Sequence, residues 1–155
     1  MPRDRVHAWD LELQNAHHRL EQALEQARVS IRSGKHAKAS KPDLRSHCYT
    51  FCAALGSHHR SEDDSFFPAL LRQMPELRPV IERLTRDHRR LARLLADFQR
   101  CLDSGESSPE RLLTKINEIK SVMNAHFADE ERSLNPALQA FLAQAGDRDR
   151  MFGDS

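Results

Sequence analysis

Residues 77–102 read LRPVIERLTRDHRRLARLLADFQRCL, and the spacing of their apolar side chains decides the fold. Leu77, Ile81, Leu84, Leu91, Leu95, Phe98 and Leu102 recur at intervals of three, four and seven, the period of one helix face, with no sustained period-two alternation. The gap in this stripe is filled by His88, four residues after Leu84. At about 100° per residue, that offset turns the imidazole only about 40° from the leucine, so it points inward with the stripe.

Glycine and proline divide the flanking sequence into three more segments of the same kind. One runs from about Arg5 to Arg32 on Val6, Trp9, Leu13, Leu20, Leu24 and Ile31, followed by a basic polar loop, GKHAKASK, from Gly34 to Lys41. Another starts near Pro42, a residue tolerated in a first helical turn, and carries Leu44, Phe51, Leu55, Phe66 and Leu70; Pro68 should kink or end it. The segment at 77–102 stops at Gly105. The last opens at SSPE, where Ser107 and Glu110 fit a capping box around Pro109, and extends past Pro136 to about Ala143. Four helices of about 25 residues with short connections predict an all-α fold, an antiparallel up-down four-helix bundle. The bundle should occupy residues 1–145, leaving 146–155 as a flexible tail.

Composition fits that reading and excludes others. The chain has 155 residues, 39% of them apolar, enough for one core. Lys and Arg number 24 against 23 Asp and Glu, so no overall basic field argues for nucleic acid or an anionic membrane. No apolar run approaches a membrane span, and the polar start, MPRDRVHAWD, lacks a secretion signal, which predicts a cytoplasmic location. Cys48, Cys52 and Cys101 are an odd set in a chain without an export signal. Cys48 and Cys52 stand one helical turn apart, neither a redox nor a zinc-ribbon spacing, and read as core residues.

The segments repeat in pairs. At an offset of 71, Leu13, His17, Leu20 and Leu24 align with Leu84, His88, Leu91 and Leu95. At an offset of 68, His58, Glu62, Pro68, Ala69 and Leu70 align with His126, Glu130, Pro136, Ala137 and Leu138. From composition alone, about 0.03 matches to H-x3-E-x5-P are expected, and two are present. The chain therefore reads as a duplicated helical hairpin, an internal two-fold repeat.

Residues four apart on a helix project side by side, so each repeated His/Glu pair can grip one ion. A core-facing carboxylate is costly unless paired, and no lysine or arginine faces inward here. A bound cation resolves that cost. The two-fold repeat brings His17, His58 and Glu62 opposite His88, His126 and Glu130, which suits two metal ions bridged by two carboxylates. Imidazole with carboxylate, without thiolate, suits iron or manganese over structural zinc or calcium. His59, Asp63 and Glu131 each follow a candidate ligand, about 100° off its face, and are candidates for outer partners or additional ligands. His18 and Glu21 read as surface residues, and His47, three turns from His58, as structural.

The stretches HHRSEDDSFFPALL, LTRDHRRLARLL and HFADEERSLNPAL, with His17 ahead of them, resemble the hemerythrin-like, HHE cation-binding family over nearly the whole chain. The resemblance implies a four-helix bundle around an oxo- or hydroxo-bridged di-iron centre, two iron ions held by His17, His58, His88 and His126 and spanned by Glu62 and Glu130. Oxygen carriers of the family use a fifth histidine, with a pair four apart on the third helix, but Leu84 and Ala92 occupy the positions flanking His88. They also separate the fourth-helix histidine and carboxylate by five, which selects Glu131. The four-histidine set looks more like iron-cluster repair proteins, without their cysteine-bearing module, and like relatives associated with peroxide or nitric oxide.

The resulting expectation is a non-haem di-iron protein that binds or turns over O2, hydrogen peroxide or nitric oxide, a stress-response oxidoreductase fed by an external electron donor. A site short of one histidine leaves room for peroxide or nitric oxide. The alternative is an iron- or oxygen-responsive sensor that folds around its metal and reports to a partner. Arg83, Arg86, Arg90 and Arg93 form a basic outer face that either docks a partner or is simply solvated. No phosphate loop or nucleophile motif supports a kinase or hydrolase.

Overall fold

The computed structural model describes the backbone of residues 2–34, 41–105 and 108–151, and the side chains of 11–33, 44–105 and 108–140. Val6, Trp9, most of the expected loop at 34–41, Ser107 and residues 152–155 lie outside the residues or side chains so described.

Among the described residues, five α-helices build the bundle: α1 (Pro2–Gly34), α2 (Lys41–Ser61), α3 (Phe67–Gln73), α4 (Arg78–Ser104) and α5 (Pro109–Met151). Because α2 and α3 are joined by one wide π-helical turn, Glu62–Phe66, they form a single rod, and the molecule is a four-helix bundle. Helix α1 packs on α2 and α5, and α4 packs on α5 and α2. No strand occurs among the described residues.

Pro68 accounts for the wide turn. A proline within an α-helix offers no N–H and crowds the carbonyl four residues back. Here the Phe67 N–H bonds the carbonyl of Glu62, five residues back, and Pro68 falls in the first turn of α3, where its missing N–H is not needed. Its repeat partner, Pro136, lies inside α5 without such a turn, so the two-fold repeat is imperfect at this point.

The helix ends follow local chemistry. Met74, with φ −136° and ψ 74°, breaks the rod, and Pro75–Leu77 form one 3-10 turn before α4. Gly105 ends α4 with φ 67°, its N–H donating to the Leu102 carbonyl at 3.3 Å. Ser108 caps α5: its Oγ accepts from the Arg111 N–H at 3.2 Å, with Pro109 next to it in the first turn. The cap is thus one residue later than the expected Ser107, because the helix begins at Pro109. At its other end α5 continues to Met151, past the expected stop near Ala143. A lone glycine such as Gly146 weakens a propagating helix without stopping it.

The core has two apolar parts. The larger holds Leu24, Ile31, Phe51, Leu55, Leu91, Phe98, Ile116 and Met123 among others; the smaller holds Phe67, Leu70, Leu77, Ile81, Leu84, Leu134 and Leu138. Cys48 and Cys52 are buried in the larger part, and burial pushes both thiols up to about 12. The six buried polar residues among the described ones, His17, His59, Glu62, His88, His126 and Glu130, belong to neither part.

A candidate metal centre between two apolar clusters

Each of the four rods of the bundle contributes to one polar layer. Helix α1 supplies His17, α2 supplies His58 and His59, the π turn begins with Glu62, α4 supplies His88, and α5 supplies His126 and Glu130. These seven side chains fall into two overlapping groups, each with its ligand-type atoms within 4.8 Å of one another. One is His17, His58, Glu62 and Glu130; the other is His59, Glu62, His88 and His126.

The two glutamates link the groups. Glu62 Oε1 lies 3.5 Å from His58 Nε2 and 3.1 Å from His88 Nε2. The oxygens of Glu130 divide between His17 Nε2, at 3.3 Å, and His126 Nε2, at 3.1 Å. His88 and His126 bring their Nε2 atoms to 3.1 Å of each other. All the Nε2 atoms of this layer that are so paired face its interior.

An outer row of carboxylates fixes three of the rings through their other nitrogen. His17 Nδ1 lies 3.0 Å from Glu131, His88 Nδ1 2.8 Å from Asp63, and His126 Nδ1 3.1 Å from Asp87. A carboxylate there accepts the Nδ1 proton and leaves the Nε2 lone pair directed inward, the arrangement common behind metal-bound histidines. Ring packing completes the layer: Phe127 stacks on His17 with centroids 3.8 Å apart, and His59 stacks on His88 at 4.0 Å.

Electrostatics leave the layer unsatisfied on its own. His17 Nε2, His58 Nε2, His59 Nε2 and both oxygens of Glu62 and of Glu130 are buried with no hydrogen-bond partner of good geometry among the described residues. Burial pulls His58 down to about 4 and His59 to about 2, so both are neutral lone-pair donors at neutral pH. Burial raises the Glu62 carboxyl, and the Glu130 carboxylate beside it raises it further. Burial would raise Glu130 too, but its hydrogen bonds with Glu62, His126 and His17 hold it well below the usual range. Two buried carboxylates side by side, with the neutral rings of His58 and His59 among the histidines around them, make a layer that favours positive charge.

The sequence-predicted residues are distributed as follows. His17, His58, Glu62, His88, His126 and Glu130 meet in the layer. Glu130 is fully buried, whereas Glu131 is 40% exposed on its side chain and reaches the layer only through His17 Nδ1. Asp63 is an outer partner. His59, about 100° off the His58 face and a candidate for an outer partner or additional ligand, is a member of the second group. The signal was available: in H-H-x-x-E the two histidines stand four and three residues before Glu62, and both spacings share a helix face. Asp87 was missed, because a carboxylate just before His88 resembles any other charge on the outer face. His18 and Glu21 are exposed, as expected.

A family model described as the hemerythrin HHE cation binding domain matches residues 11–151. The chain belongs to this family. Among curated proteins and solved structures, the corresponding comparisons gave no match. Membership in the hemerythrin HHE family implies cation binding, iron included, and the paired His/Glu groups are where this chain offers it. The match spans both halves of the duplicated hairpin, each of which carries a His-x3-Glu pair. No helix among the described residues is long and apolar enough to cross a membrane.

Proposed function

We propose that this hemerythrin HHE domain holds two iron ions side by side, one in each His/Glu group, with Glu62 and Glu130 reaching both. The observation that carries this reading is that the two four-residue groups overlap at a glutamate while seven buried ligand-type atoms have no other partner. A set of nitrogen and carboxylate oxygen donors without thiolate suits iron, with manganese as the closest competitor.

The physiological ligand in this reading is O2, hydrogen peroxide or nitric oxide. When bound, the iron pair supplies the redox equivalents and Lewis acidity that the side chains lack. Glu131, Asp63 and Asp87 keep three imidazoles in one tautomer and hold their protons on the outer side. Phe127 and Phe67, on the apolar clusters, exclude water from the two ends of the layer. A groove of about 830 Å³ between α1 and the α2–α3 rod, lined by Ala16, Ser57, Ser61 and Ser65, reaches His58 and Glu62 and gives a small molecule its way in.

With His59 counted, five histidines face the layer, so the number of histidines does not favour peroxide or nitric oxide over oxygen. The test is to load the purified chain anaerobically with ferrous iron, expose it to each of the three molecules, and follow optical spectra and consumption. Repeated consumption of peroxide or nitric oxide supports an oxidoreductase. Reversible spectral change with O2 supports carriage or sensing, and no spectral change with any of the three contradicts the proposal.

A further inference from the structure

Residues 78–93 contain Arg78, Arg83, Arg86, Arg89, Arg90 and Arg93 against Glu82 and Asp87, a formal charge of +4 in a chain whose total is +1. The remainder of the protein is therefore net acidic, and its positive charge is concentrated on α4. Arg86, Arg90 and Arg93 are exposed and form no ion pair among the described residues. Where α4 meets α5, the same face forms a depression of about 400 Å³ lined by Arg83, Arg90, Arg132, Asp87, Asp129 and His126. Arg83 is held there by two hydrogen bonds to Asp129, both 2.9 Å, and one to Ser133.

The floor of this depression is connected to the metal layer. The Asp87 carboxylate is 34% exposed and sits 3.1 Å from His126 Nδ1, while the same ring turns Nε2 inward toward Glu130 and His88. A single imidazole thus separates the arginine-rimmed surface from the centre. The groove on the α1 side, by contrast, is lined by Arg19 and Arg72 against Glu12, Asp64 and Glu62, and offers no positive bias.

We propose that the α4–α5 face, centred on Asp87 and lined by Arg83, Arg90 and Arg132, with the exposed Arg86 and Arg93 further round α4, docks an acidic one-electron carrier protein of the iron–sulfur or flavin class. The carrier's reducing electron enters the iron pair past His126. In each encounter the carrier loses one electron, one ferric ion becomes ferrous, and no bond is made or broken; two encounters reduce the pair. Clustered positive charge accelerates association with an acidic partner and makes the rate fall with salt. This inference rests on the iron-pair reading above.

The test uses the iron-loaded, oxidised protein mixed rapidly under argon with a reduced acidic [2Fe–2S] ferredoxin, and in parallel with reduced methyl viologen, a small cation that needs no docking face. The expected result is a ferredoxin rate constant that drops at least tenfold between 20 and 300 mM salt. It should drop at least tenfold again in R86E/R90E/R93E at low salt, with the methyl viologen rate changed less than twofold. Calorimetric binding of ferredoxin should weaken in parallel, a readout independent of turnover. A triple variant reduced by ferredoxin as fast as wild type overturns the docking face. So does tight, arginine-dependent binding of a DNA duplex with none to ferredoxin, which would make the face a nucleic-acid site. A chain that takes up no iron, or whose iron methyl viologen does not reduce, overturns the iron-pair reading itself and the inference with it.

Discussion

Glu62 shows at the scale of one residue how a structural cost becomes a binding site. It is 3% exposed, opens a π turn, and lies beside a second buried carboxylate. Burial and the neighbouring Glu130 both raise its carboxyl, so protons compete with a cation there and uptake should release protons and weaken as pH falls. Titration of the chain with metal in weakly buffered solution should therefore acidify the medium, with affinity rising from pH 5.5 to 7.5; pH-independent uptake would contradict that competition. Asp87 acts one ring further out. Asp87→Asn should leave the fold intact and lower metal affinity about 10- to 100-fold, as measured by competition with a chelator. The six residues repeated in register were legible in the sequence because a duplication repeats its chemistry at a fixed offset. His59 and Asp87 were harder to place, since both depend on which ring nitrogen faces inward, and that is decided by neighbours far away in the chain.

At the scale of the elements, helix periods and stops were legible because each has a local cause. The stripe on α4 appears intact as Ile81, Leu84, His88, Leu91, Leu95, Phe98 and Leu102, all buried. Gly105 ends α4 in a left-handed conformation, and a methyl group added there would meet only Arg45 Nη2, at an ordinary 3.7 Å. Gly105→Ala should thus cost only the backbone conformation, about 1–2 kcal/mol by denaturant unfolding, with Gly105→Asn losing less. What the periodicity could not supply was the wide turn before Pro68. Proline forbids an ordinary helical hydrogen bond but does not say whether the chain kinks, stops or widens, and packing of Phe67 and Leu70 into the smaller apolar cluster decides in favour of a continuing rod. The extra length of α5 beyond Ala143 was likewise unreadable, since no apolar stripe marks it.

The whole molecule places a charged, hydrogen-bond-poor layer between two apolar clusters, and its stability should depend on what fills that layer. Removing a buried carboxylate from the metal-free chain relieves desolvation. Glu62→Leu should accordingly unfold at a higher temperature than wild type when both are metal-free, and gain little or nothing from added iron; a variant that iron still stabilises like wild type would contradict that assignment. The thiols give a second whole-molecule test. Burial raises Cys48 and Cys52 from 9.0 to about 12, so the folded state resists thiolate formation and the unfolded chain does not. Their contribution is intact below about pH 9 and is lost as pH rises toward 12, so stability should fall across that window. At pH 8 a brief alkylation of the native protein should label the partly exposed Cys101 well ahead of the other two, as read by mass spectrometry.

The most direct measurement is iron content per chain in the wild type, His58→Ala and His59→Ala, with helical content checked alongside. Two overlapping groups sharing glutamates predict close to two irons in the wild type and at most about one in each variant, all three remaining helical. Two irons retained in both variants, or none in a folded wild type, would contradict the paired centre.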